Sequence, residues 1–202
     1  MKRTVLVVFA LIFLGFLVGS ATGVLGKYQA RSLVTKAQGE MRSLATALFD
    51  FNTALIGAGR EGILQEGYAE PTYLAYLEDA TSVNVFRAGR IDELFSELQN
   101  QVQFVSSFPI DPFDPEGKSY RFAGKGDSFC LIGVGPNGRL DIPWEAFTKA
   151  FEEELSGNPP RDLSILGCDG CGTIEEALRV GGFQYSPTNG ACSDGDLIRL
   201  SQ

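Results

Sequence analysis

From Thr4 to Leu25 every position is apolar or is Gly, Ser or Thr. Beyond it the pattern changes: Leu33, Val34, Ala37, Met41, Leu44, Ala45, Leu48 and Leu55 recur mostly at spacings of three and four, with Arg31, Lys36, Glu40, Arg42 and Asp50 between them. The first pattern is apolar on all sides and the second is the amphipathic helical period. About 22 residues at a rise of 1.5 Å span roughly 33 Å, enough to cross a bilayer core of about 30 Å. No proline occurs before Pro71, so one helix is predicted from near Val5 to near Ile56, half in lipid and half on a domain. Gly15, Gly19, Gly23 and Gly26 are its weak points, with a bend expected near Gly23 to Gly26. Glu40 reads as an exposed carboxylate that contributes little.

The later pattern is shorter in period. Gly57 to Gly67 reads as a loop, and Pro71 to Asp79 and Ile91 to Val102 have helical spacing. Pro109, Pro112 and Pro115 exclude regular structure across Phe108 to Lys118. Tyr120 to Ala123 and Phe129 to Val134 then read as two strands of an antiparallel meander, closed by Gly135-Pro136-Asn137-Gly138. Trp144, Phe147, Phe151 and Leu155 space a helix with Pro143 at its first turn. Thr173 caps another through Val180, with Glu175 and Glu176 near its positive end, and Leu197 to Leu200 returns as a last strand. The fold class is therefore α+β, with a long N-terminal helix packed on a small antiparallel sheet with extra helices. Residues 1–26 form a transmembrane anchor and residues 27–202 one domain, in which 27–56 continue the helix of the anchor.

Charge sharpens this division. Residues 1–39 carry five basic side chains and no acidic one, leaving 12 of the 17 basic residues and all 25 acidic ones to residues 40–202. A domain so acidic repels nucleic acid. The chain has no histidine, which removes the commonest general base and the commonest zinc ligand. A removable signal peptide is the rival reading of the N-terminus: Lys2 and Arg3 form its basic region and Gly19-Ser20-Ala21 its cleavage site. A lipoprotein is not, since the first cysteine is Cys130.

The four cysteines, Cys130, Cys168, Cys171 and Cys192, are an even number that fits an oxidising compartment and two structural disulfides. Three pairings are open; Cys168 with Cys171 and Cys130 with Cys192 is the favoured one. The CxxC spacing of Cys168 to Cys171 also admits a redox dithiol, and all four sulfurs a zinc site. Neither is favoured, because no thioredoxin-like context and no second CxxC accompany them. Glu152-Glu153-Glu154 reads as a solvated helix face, and Asp194 with Asp196 as a turn with too few carboxylates to commit to calcium. No catalytic, cofactor-binding or metal-binding residue is assigned, and no small-molecule substrate is expected.

Four stretches in order carry a resemblance. They are Lys36-Ala37-Gln38-Gly39-Glu40-Met41-Arg42-Ser43-Leu44-Ala45-Thr46-Ala47-Leu48; Phe108-Pro109-Ile110-Asp111-Pro112-Phe113 with Gly117 and Tyr120; Leu131-Ile132-Gly133-Val134-Gly135-Pro136-Asn137-Gly138; and Ser186-Pro187-Thr188-Asn189-Gly190 with Gly195-Asp196. Together with the apolar segment before them, they resemble the pilin-like proteins related to the major pseudopilin of type II secretion. The resemblance implies a pilin-like fold and a non-enzymatic structural or assembly subunit of a type II secretion or type IV pilus-like system. It also implies a single pass through the bacterial inner membrane, with the domain in the periplasm or outside. The partners implied are the membrane and other pilin-like subunits or secretion machinery, with a homo-oligomer among the forms. The chain departs from the family in two places. Lys2-Arg3 runs straight into Thr4-Val5-Leu6 where the family has its prepilin-peptidase motif, and no glutamate lies between Thr4 and Gly26. These departures keep a second reading open, an anchored extracytoplasmic binding module with a pilin fold that does not polymerise.

Overall fold

The computed structural model describes residues 28–53, 86–95, 105–158, 163–186 and 194–201. A helix, α1, covers 28–53. After it come β1 (Arg87–Arg90), the single turn α2 (Ile91–Leu94), β2 (Arg121–Lys125), β3 (Ser128–Gly133), α3 (Trp144–Leu155), a 3₁₀ turn (Ser164–Leu166), α4 (Ile174–Val180) and β4 (Leu197–Leu200). The strands form one antiparallel sheet in the order β1-β2-β3-β4. The class is α+β, as the pattern of the sequence predicts.

Strand alternation divides the interior into two layers. Phe122, Phe129 and Leu131 face α1, whose Val34, Ala37, Met41, Leu44 and Leu48 pack on them together with Tyr120, Phe95 and Leu197. Ala123, Cys130 and Ile132 face the other way, against Phe147 and Phe151 of α3, Leu166, and Ile174 and Leu178 of α4. The buried positions of α1 follow the predicted stripe, whereas Leu33 is 37% exposed. The far end of α1 is tied down by Asn52, whose side-chain amide donates to the Gly126 carbonyl in the β2–β3 turn at 2.8 Å. That turn has two residues, and Gly126 takes a φ of +59° at its first position, the pattern of a type II′ hairpin.

Several expectations change. Arg87–Arg90 is a strand paired with β2, although Arg-Ala-Gly-Arg has neither alternation nor β-branched residues. Of the helix expected from Ile91 to Val102, the described residues show one turn, Ile91–Leu94, that ends at Phe95, where φ is −130°; residues 96–102 lie outside the described residues. Helix α3 has the expected extent, with Pro143 immediately before it accepting from the N–H of Phe147. Helix α4 is capped as predicted, the Thr173 hydroxyl oxygen accepting from the N–H of Glu176 at 3.3 Å. Among the described residues no helix is long and apolar enough to cross a membrane. The run from Thr4 to Leu25, the loop from Gly57 to Gly67 and the helix expected over Pro71 to Asp79 lie outside them.

Candidate functional site: a junction clamped by carboxylates

Three of the four stretches singled out in the sequence meet at one end of the sheet, and buried carboxylates hold them there. Asp111 is 1% exposed. One of its oxygens accepts from the N–H of Phe113 at 3.0 Å and the other from the N–H of Val134 at 2.6 Å, so the proline-rich loop is fastened to the chain leaving β3. Asp196 is fully buried, and its carboxylate accepts from the N–H groups of Asp141 and Ile142 at 2.8 to 3.1 Å. Asp141 returns the tie, accepting from the N–H of Gly195 at 2.7 Å and from the Asn137 amide at 2.8 Å. The backbones approach so closely that a Cβ at Gly135 would overlap the Gly195 carbonyl oxygen. Only glycine fits there.

The electrostatics follow from burial. Loss of water pushes the Asp196 carboxyl up to about 6, with the N–H bonds from Ile142 and Asp141 opposing the rise. Burial raises Asp111 as well, against its bonds from Phe113 and Val134. At Asp114 burial again acts upward, but the N–H of Glu116 and the Arg90 guanidinium outweigh it and hold that carboxyl below the usual range. Arg90 reaches Asp114 at 2.6 Å and the Ser119 carbonyl at 2.5 Å, and Asp92 accepts from the Ser119 hydroxyl. Arg121, directly opposite Arg90 across the strands, lies 5.3 Å above the Trp144 ring, and among the described residues its Nε has no hydrogen-bond partner.

A second connection joins α1 to this end of the sheet. The Tyr120 side chain is fully buried, and its hydroxyl donates to Glu40 at 2.7 Å. Glu40 is therefore no idle surface carboxylate, because it satisfies a phenol that has no water within reach, a role its position on a polar helix flank does not disclose. Glu154 is corrected in the same way. Of the acidic run only Glu152 is exposed, and Glu154 accepts from the N–H of Ile174, fixing the start of α4 to the end of α3.

The cysteines separate. Cys168 and Cys171 form a disulfide with their Cα atoms 5.8 Å apart. Among the described residues Cys130 is a free, fully buried thiol in the middle of β3, and burial raises its pKa. Cys192, expected to pair with it, lies outside the described residues, as do residues 187–193 of the fourth stretch. Among the described residues no three metal-ligating side chains converge. The junction carboxylates accept from backbone N–H donors and so fix these loops in place. The acids at 111, 141 and 196 show in the sequence only as turn residues; the signal for two of them was the glycine beside a neighbouring or partnered segment, Gly135 and Gly195. Comparison with family models, with curated proteins and with solved structures finds no match for this chain.

Proposed function

We propose that the chain is a membrane-anchored, pseudopilin-like structural or assembly subunit of a type II secretion or type IV pilus-like system, and not an enzyme. The observation that carries this reading is α1. Its described part is about 39 Å long at 1.5 Å per residue, starts at Tyr28, with two residues between it and the end of the apolar run at Leu25, and lays one stripe, Val34 to Leu48, along a four-stranded sheet. Its other sides are left to solvent by the described residues, with Tyr28 66% and Phe49 55% exposed. A helix so placed has surface to spare for a neighbouring helix. The three converging stretches support the same reading, since the segments that carry the pilin-like resemblance are the ones that fasten the loops to the sheet.

The binding-module reading is favoured by the two departures from the family pattern, Lys2-Arg3 running straight into Thr4-Val5-Leu6 and the lack of a glutamate between Thr4 and Gly26. A carboxylate in lipid would be costly unless it met a cation on a neighbour, and an anchor without one suits a protein that stays alone. Two measurements on protein extracted from membranes in mild detergent separate the two: the first residue of the mature chain by mass spectrometry, and the mass of the particle by light scattering. Retention of Val5 to Leu25 in a particle larger than one chain supports the assembly subunit. A strictly monomeric particle supports the module, and a soluble chain beginning near Thr22 contradicts both.

A further inference from the structure

We infer that the groove between α1 and the outer edge of β4 is a docking site for an extended, acidic peptide segment of a partner protein, bound by strand addition. This surface is independent of whether the chain polymerises. The cleft has a volume of about 210 Å³, with Gln38 and Arg42 of α1 on one wall and Gln184 and Arg199 on the other, and Met41 and Leu197 among its lining. Asp196 also lines it, with its carboxylate engaged by the N–H groups of Asp141 and Ile142.

Two observations point to one kind of occupant. First, β4 ends the sheet, and among the described residues its outer edge is met only by the single parallel bridge from Gln184 to Asp196 at its start. Alternate N–H and C=O groups along such an edge are a template for another strand. Secondly, Arg42 and Arg199 are exposed, and neither takes part in any of the ion pairs among the described residues, which use Lys36, Arg90 and Lys118. Arg199 stands opposite Leu131, a residue packed beneath α1, so its guanidinium lies on the α1 side of the sheet, the side that also carries Arg42. In a chain of net charge −8, two guanidinium groups outside every ion pair of the described residues, beside a strand edge that those residues leave unpaired beyond Asp196, are complementary to carboxylates that alternate along an added strand.

The probe is a fluorescein-labelled peptide of alternating Glu and Val, titrated by fluorescence anisotropy against the full chain in mild detergent at low salt. Saturable binding is expected. It should weaken at least about tenfold with Arg42→Glu or Arg199→Glu, the effect of losing one charge-assisted pair, and hardly change with Arg139→Glu, an exposed site outside the cleft. A peptide N-methylated at alternate amides should also bind at least about tenfold more weakly, because it cannot complete a strand ladder. Unchanged circular dichroism of each variant keeps misfolding apart from loss of the site. The proposal is overturned by no saturable binding, by equal binding of a Lys-Val peptide, or by Arg42 and Arg199 variants that bind like the parent. Undiminished binding of the N-methylated peptide overturns it too.

Discussion

Buried acids respond to pH in opposite senses depending on what faces them, and the junction contains both kinds. Asp196 has a folded-state value of about 6 against an ordinary 3.8, so the folded chain holds that proton more tightly than the unfolded one. Its contribution to stability is complete below about pH 3.8 and is lost as pH rises through about 6; Asp111 acts in the same direction. Asp114, held low, contributes above 3.8 and loses that contribution as pH falls further. Between pH 7.5 and 5 the first effect dominates, and Asp196 alone should add roughly 1 kcal/mol of stability on acidification. Urea unfolding followed through Trp144, the only tryptophan, should therefore show a higher midpoint at pH 5, and Asp196→Asn should flatten the difference. A midpoint that falls from pH 7.5 to 5 contradicts the burial of this carboxyl. Glu40→Ala leaves the Tyr120 hydroxyl buried and unpaired and should destabilise by about 1 to 3 kcal/mol. Tyr120→Phe in the same chain should recover part of that loss, a coupling that two unrelated sites would not show in the same unfolding assay.

The elements owe their places to the two faces of the sheet. Leu44 is 1% exposed in the layer under α1 and Leu33 is 37% exposed on the same helix. Leu44→Ala should thus cost about 2 to 5 kcal/mol, and Leu33→Ala under about 1 kcal/mol, by denaturant titration; similar values would remove α1 from the sheet. Much of this level was readable in advance. The stripe on α1, the hairpin of β2 and β3, helix α3 after Pro143, the Thr173 cap and β4 all announce themselves by period or by a capping residue. Strand β1 does not, because an edge strand paired on one side needs no alternating apolar residues, and its Arg87 and Arg90 serve the Phe95 ring and Asp114 instead. The break at Phe95 is hidden for the complementary reason. Ile91, Leu94 and Phe95 have helical spacing, but Ile91 and Phe95 are core residues of a strand-to-turn corner. The acid clamps show only through the glycines beside them, because a carboxylate that accepts backbone N–H bonds from a segment 54 or 55 residues away leaves no local pattern of its own.

At the scale of the whole molecule, the junction turns separate turn sequences into one end of a domain, with an anchor reading at the start of the chain and a helix between them. The disulfide between Cys168 and Cys171 agrees with an oxidising compartment. Peptide mapping without reduction should find those two linked, and iodoacetamide should modify Cys130 only after denaturation, since its sulfur has neither solvent nor an accessible thiolate in the folded chain. Rapid labelling of Cys130 in the native protein would contradict the placement of β3 between two layers. The central claim, that this chain assembles helix against helix, is tested most directly at Tyr28, which is 66% exposed on α1 close to the apolar run. A photo-crosslinking amino acid placed there and irradiated in intact membranes should join the chain to a second copy or to a different membrane-anchored subunit, while the same group at Arg139 should not. A chain that stays uncrosslinked at Tyr28, or crosslinks no more there than at Arg139, would contradict the account.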